Sequence, residues 1–158
     1  MWVETLGRSQ KVTPCSPTQI SAGFRWRGHN EPVSTRDLTL SDGRSLRIWT
    51  SGRFDGLTLV YFPGTPAGVT PEPEIVTAAE VAGIGLVSVA RPGYPGSTRL
   101  PGRDVASVVS DTAQVLAQLG CDQVVTLGWS GGGPHALACA AKLPGLPGGS
   151  FARRHRTR

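Results

Sequence analysis

Three short apolar runs, each followed by a helical pattern, constrain the fold of this chain more than any other feature. The runs cover residues 57–62, 85–90 and 123–128, and their length and β-branched content are typical of strands buried on both faces. Apolar residues at helical spacing follow each run, over residues 70–83, 104–119 and 133–143. This alternation predicts a three-layer α/β/α fold, in which right-handed crossovers build a mostly parallel sheet.

An antiparallel β-hairpin is expected before the first of these strands. Leu38 and Leu40 alternate with polar residues, and so do Leu46 and Ile48. An Asp-Gly turn signal lies between the two pairs, within residues 41–44. The hairpin therefore precedes the parallel part of the sheet.

Residues with helix-capping properties indicate where the helices begin and end. Thr70 is suited to cap the first helix, with Pro71 at its first position and Gly83 or Gly85 at its end. Asp104 is suited to cap the second helix.

The two ends of the chain lack this pattern. Residues 1–34 are polar and without clear periodicity, so we interpret them as a loose leader before an α/β domain at 35–143. Residues 144–158 are rich in Pro, Gly and Arg, and we expect a basic, disordered tail. With no strand after the third helix, the strand at 123–128 would have an exposed edge that can pair with another chain.

The net charge of +5 is a property of this tail. Four of the 16 Lys and Arg residues lie in the last six positions, and the other 12 nearly balance the 11 Asp and Glu residues. No basic helix face or mixed basic and aromatic patch appears elsewhere, so we predict no nucleic-acid partner.

The remaining composition favours a cytoplasmic protein. No apolar run is long enough for a membrane span, and no signal peptide is visible. Cys15, Cys121 and Cys139 lack metal-ligand spacing and are expected to be reduced thiols. The glycine cluster near residue 130 fits neither a dinucleotide fingerprint nor a phosphate loop, so we predict no metal and no cofactor.

The stretch "GWSGG" has the form Gly-x-Ser-x-Gly and joins the third buried strand to a helix. Gly128 and Gly132 permit a sharp turn that would expose the Ser130 hydroxyl on a strained backbone. The Gly131 N–H would then point at an oxyanion site, aided by the positive end of the following helix. A second N–H donor is expected from Thr65, in the turn after the first buried strand.

With these motifs in place, residues 36–143 resemble the N-terminal half of an α/β-hydrolase. The resemblance rests on "PGTPAG", "ARPGYPGST" and "GWSGGGPHALACAA" taken together. It implies an eight-stranded sheet, a Ser–Asp/Glu–His triad in that chain order, Ser130 as nucleophile, and Gly131 and Thr65 as oxyanion donors. Three loop positions depart from the residues usual in the family: Pro63 replaces a His, Ala90 an Asp and Pro95 a Gly.

The acid and the histidine of such a triad are missing from the matched order. Asp122 is the only acid beyond the second helix, and it precedes the strand that leads to Ser130. His135 lies on the helix that follows Ser130. It is expected to point away from the Ser130 hydroxyl, as a packed or loop-bonded residue. His29 and His155, near the ends of the chain, are weaker candidates. Three other residues have structural interpretations: Ser97 in a turn, Asp104 as a cap and Asp111 at a solvated helix position.

The sequence therefore predicts an α/β-hydrolase-fold serine hydrolase for a small-molecule ester or related acyl substrate, truncated or frameshifted and impaired as it stands. A serine at position 130 argues against family branches with an Asp nucleophile, such as epoxide hydrolases and haloalkane dehalogenases. The alternative is a non-catalytic remnant or an interaction module that pairs with another chain through the exposed strand edge, and the same edge would also permit self-association. For the truncated chain on its own we expect a marginally stable monomer.

Overall fold

The computed structural model describes the backbone of residues 2–5, 8–11, 31–143 and 150–153, and the side chains of residues 33–143. Two short strands, β1 (Trp2–Thr5) and β2 (Arg8–Lys11), pair in an antiparallel sheet of their own. In the part of the chain described, the main sheet contains six strands: β3 (Glu31–Thr39), β4 (Ser45–Gly52), β5 (Leu57–Phe62), β6 (Gly85–Val89), β7 (Gln123–Trp129) and β8 (Ser150–Arg153). The α-helices among the described residues are α1 (Pro73–Ala82), α2 (Ser107–Leu119) and α3 (Gly133–Lys142).

The strand order of the main sheet is β3-β4-β6-β5-β7-β8. The β3–β4 and β4–β6 pairs are antiparallel, and the β6–β5, β5–β7 and β7–β8 pairs are parallel. The predicted mostly parallel sheet with an initial hairpin is therefore confirmed. Because β5, β6 and β7 run in one direction, the loops that follow them leave the same edge of the sheet, where ligands bind in open α/β folds.

Two apolar cores lie on opposite faces of this sheet, which confirms the three-layer architecture. On one face, Val115 of α2 and Ala136 of α3 pack with Val60 of β5. On the other, Ala79 of α1 packs with Tyr61 of β5 and Leu86 of β6. Alternate residues of β5 thus serve different cores, as the period of a strand requires.

The α1 helix begins two residues later than predicted, at Pro73 instead of Pro71. Glu72 is extended, with φ −64° and ψ 142°, because a residue that precedes proline is disfavoured in the helical conformation. The second proline therefore sets the start, and Thr70 is not the cap. The predicted end is correct: Gly83 is left-handed, with φ 67°.

The α2 helix also begins later than expected, at Ser107. Asp104 nevertheless supports its start, because its Oδ1 accepts a hydrogen bond from the Ser107 N–H at 2.7 Å. Asp111 is not at a solvated position, as the sequence suggested, but is buried against Arg44 of the β3–β4 turn. The pair joins this turn to α2.

The expected exposed edge of β7 is wrong, because β8 pairs with it from Thr126↔Ser150 to Trp129↔Arg153. The backbone N–H and C=O groups on this edge of β7 therefore have β8 as their partner and do not need a second chain. A strand of four residues is too short for its period to stand out in the sequence. The rest of the predicted disordered tail lies outside the described residues.

The N-terminal boundary at residue 35 falls inside β3, which begins at Glu31, and β1 and β2 lie within the predicted loose leader. Cys121 and Cys139 are free thiols, whereas Cys15, His29 and His155 lie outside the described side chains. None of the helices described is long and apolar enough to cross a bilayer.

Candidate functional site

Ser130 occupies a sharp turn between β7 and α3, which we call the elbow. A single 3₁₀ turn, Ser130–Gly132, links the strand to the helix, and the serine is exposed. Its φ of 47° is the only positive value at a non-glycine residue in the part of the chain described. This conformation costs roughly 1–3 kcal/mol for a residue with a Cβ and concentrates at functional sites. The strained backbone expected at Ser130 is present.

Close backbone packing explains the two elbow glycines. A Cβ on Gly132 would overlap the carbonyl oxygen of Phe62 and lie 2.7 Å from that of Pro63. A Cβ on Gly128 would lie 2.6 Å from the carbonyl carbon of Gly132 and from the Cα of Gly133. The elbow is therefore pressed against the end of β5, and both positions require glycine.

The loop after β5 lies beside the serine. A Cβ built on Gly64 would be 3.5 Å from the Ser130 Cβ. A Cβ built on Gly131 would be 2.5 Å from Thr65 Oγ1 and 3.5 Å from the Thr65 nitrogen. The structure thus brings Thr65 and Gly131 together next to Ser130.

Arg91, in the loop after β6, holds this loop against the elbow. Its guanidinium donates to the carbonyl oxygens of Gly131 at 2.7 Å and Gly64 at 3.2 Å, and to Thr65 Oγ1 at 3.3 Å. The side chain is only 3% exposed, and this burial lowers the pKa of Arg91 from its ordinary value. Arg91 lies within the motif "ARPGYPGST", but no pattern in the sequence predicts its contacts with Gly64, Thr65 and Gly131.

Tyr94 contacts both Arg91 and Thr65. Its ring centroid is 4.2 Å from the Arg91 guanidinium carbon, and its hydroxyl is 2.9 Å from Thr65 Oγ1. Ser97 donates to the Ala90 carbonyl at 2.7 Å and accepts from the Arg47 N–H at 2.9 Å. The interpretation of Ser97 as a structural loop residue is confirmed.

His135 contacts the loop before α2 and the end of β5. Its Nδ1 lies 3.4 Å from the carbonyl oxygen of Val105, and its ring packs 6.4 Å from that of Phe62. The interpretation as a packed, loop-bonded histidine is confirmed. Among the described residues, the Ser130 hydroxyl forms no hydrogen bond with a histidine or a carboxylate. The same residues contain no group of three potential metal-ligating side chains.

The burial of His135 predicts a pH dependence of stability. Burial, and then the positive charge of Arg91, lower its pKa below the ordinary value of 6.5. Near pH 6.5 the unfolded chain therefore binds a proton that the folded chain excludes, so the free energy of unfolding falls as the pH drops below 6.5. In urea denaturation at a series of pH values, His135→Gln should weaken this dependence. Identical pH profiles for the variant and the unmodified chain would contradict the prediction.

Solved structures share this arrangement of strands and helices. The epoxide hydrolase CorEH is 23% identical, with a TM-score of 0.62, and the match covers 72% of this chain and 39% of that one. The epoxide hydrolase VrEH1 from Vigna radiata is 17% identical, with a TM-score of 0.65 and coverages of 80% and 39%. Epoxide hydrolase A from Mycobacterium thermoresistibile is 21% identical, with a TM-score of 0.62 and coverages of 72% and 36%.

The sequence matches no protein-family model and no curated protein. At these identities the likeness to solved structures concerns the fold, and the chain spans less than two fifths of the length of each enzyme named. The resemblance inferred from the three motifs is therefore confirmed for the fold. The chain has a partial α/β-hydrolase fold.

Proposed function

We propose that this chain carries the nucleophile half of a serine hydrolase and that Ser130 attacks the acyl carbon of a small ester or related substrate. The observation that carries the proposal is the exposed serine at φ 47°, directly after β7, a strand that pairs in parallel with β5 and β8. Such a turn holds the hydroxyl above the sheet edge, where a substrate can approach it.

The N–H groups of Thr65 and Gly131 are the proposed donors to the oxyanion that forms on attack. Arg91 supports this role through the Gly64–Thr65 peptide group, whose carbonyl oxygen it binds. In a trans peptide the C=O and N–H point in opposite directions, so fixing the Gly64 oxygen also fixes the direction of the Thr65 N–H. Oriented donors of this kind are worth about 3 kcal/mol each in the transition state.

A general base is the part of the machinery that the described residues lack. His135 is turned toward Val105, and Asp122 is an exposed residue before β7. With the groups of residues 33–143 alone, we expect slow acylation, in which water takes the hydroxyl proton and the oxyanion donors provide most of the acceleration.

The epoxide hydrolase names of the structural neighbours do not decide the substrate of this chain. The elbow here presents a serine hydroxyl, which argues for acyl transfer and against the branches that use an aspartate at this position. An acyl substrate also makes use of two N–H donors beside the nucleophile.

The test is covalent labelling of the full chain with a fluorophosphonate, followed by mass spectrometry of the adduct. We expect a single adduct on Ser130 that disappears in Ser130→Ala and persists in Ser110→Ala, a matched change at an exposed serine of α2. A folded chain that remains unlabelled, or that is labelled equally at Ser110, would overturn the proposal. Circular dichroism establishes whether each variant is folded.

A further inference from the structure

A cavity of about 380 Å³ lies in the loop between β6 and α2, close to the site described above. All seven residues that line it belong to residues 92–103, and we call it the arginine pocket. Two turns frame it: the Tyr94 N–H donates to the Arg91 carbonyl, and the Arg103 N–H donates to the Leu100 carbonyl. The volume is in the range of small-molecule sites.

The ionisable side chains that line the arginine pocket are both positive, Arg99 and Arg103. Neither forms an ion pair with the carboxylates of residues 33–143. The adjacent acid in the sequence, Asp104, directs its Oδ1 to the N–H and hydroxyl of Ser107, both at 2.7 Å. Two guanidinium groups that have no carboxylate partner among these residues and line one cavity attract an anion.

The side chain of Tyr94 connects the arginine pocket to Thr65, one of the two proposed oxyanion donors. The Arg103 guanidinium carbon lies 5.9 Å from the centroid of the Tyr94 ring. The hydroxyl of the same tyrosine is 2.9 Å from Thr65 Oγ1. A ligand held at Arg103 would therefore lie near the groups that surround Ser130.

We propose that the arginine pocket binds a carboxylate or phosphate group of the substrate, with Arg99 and Arg103 as its ligands, and thereby selects anionic acyl substrates. Guanidinium groups bind both oxyanions through paired, charge-assisted hydrogen bonds. The anion-binding part of the proposal depends on the arginine pocket alone, and the selection of substrates rests on the proposed function of Ser130.

Binding is measured first, by calorimetric titration of the full chain with inorganic phosphate and, separately, with glutarate. We expect saturable binding of at least one of them and a loss of affinity of about tenfold or more in Arg99→Gln/Arg103→Gln, since two charged hydrogen-bond donors are removed. Arg36→Gln, a matched change at an exposed arginine of β3, should leave the affinity unchanged. The preferred ion identifies the source of the negative charge.

Substrate selection is measured by the acylation rates of p-nitrophenyl acetate and the p-nitrophenyl monoester of glutarate. The ratio of the anionic to the neutral rate should fall about tenfold in the double arginine variant and stay constant in Arg36→Gln. If neither the anion affinities nor the rate ratio changed in the double arginine variant, anion binding by the arginine pocket would be refuted, and the proposed role of Ser130 would stand. If the arginines bound an anion but neither ester acylated Ser130, the proposed function would be refuted, and the arginine pocket would stand as an anion-binding site.

Discussion

Gly132→Ala is expected to lower the free energy of unfolding by about 3 kcal/mol and to abolish labelling of Ser130. The new Cβ would overlap the Phe62 carbonyl oxygen and lie 2.7 Å from that of Pro63. Both atoms are main-chain atoms, so no side-chain rotation can relieve the contact, and either the elbow or the end of β5 must move. Urea denaturation gives the loss of stability, and fluorophosphonate labelling gives the loss of the site.

Two other glycines provide matched controls for this change. A Cβ on Gly56 or Gly68 would meet no atom within 4 Å, and neither residue has a positive φ. Gly56→Ala and Gly68→Ala should therefore unfold at the same urea concentration as the unmodified chain, or slightly above it. If Gly132→Ala behaved like these controls, the tight approach of the elbow to β5 would be refuted.

The elements around Ser130 could be predicted because their signals are local. The apolar run at 57–62 coincides with β5, and the Gly-x-Ser-x-Gly pattern between strand and helix indicates the strained turn. The start of α1 is also set locally, because Pro73 disfavours the helical conformation of Glu72 and so moves the start from Pro71 to Pro73.

Contacts between distant segments could not be predicted in this way. Arg91 and Gly131 are 40 residues apart, and no periodicity links the arginine to the carbonyl that it binds. Asp111 looks like a solvated helix residue until the β3–β4 turn brings Arg44 to it, across 67 residues. A buried charge can be recognised in a sequence only when its partner is known.

Asp111→Asn is expected to destabilise the chain by about 3 kcal/mol, because the substitution leaves a largely buried guanidinium without the opposite charge of its main partner. The Asp111 carboxylate is 1% exposed and binds Arg44 through two contacts, at 2.5 and 3.0 Å. The Arg44 side chain is 13% exposed and retains only its pair with the exposed Asp42. Urea denaturation of the variant measures the loss.

The control is an ion pair of the same chemistry at the surface. Asp37 also binds an arginine, Arg47, through two contacts, but both partners are exposed to solvent, so Asp37→Asn should change stability little. The double variant Arg44→Met/Asp111→Leu removes both buried charges and should recover much of the stability lost in Asp111→Asn, because no buried charge remains unpaired and Asp42, which loses Arg44, is exposed to water. A double variant as unstable as the single one would mean that the pair itself stabilises the fold. Equal effects of Asp111→Asn and Asp37→Asn would contradict the burial that distinguishes the two pairs.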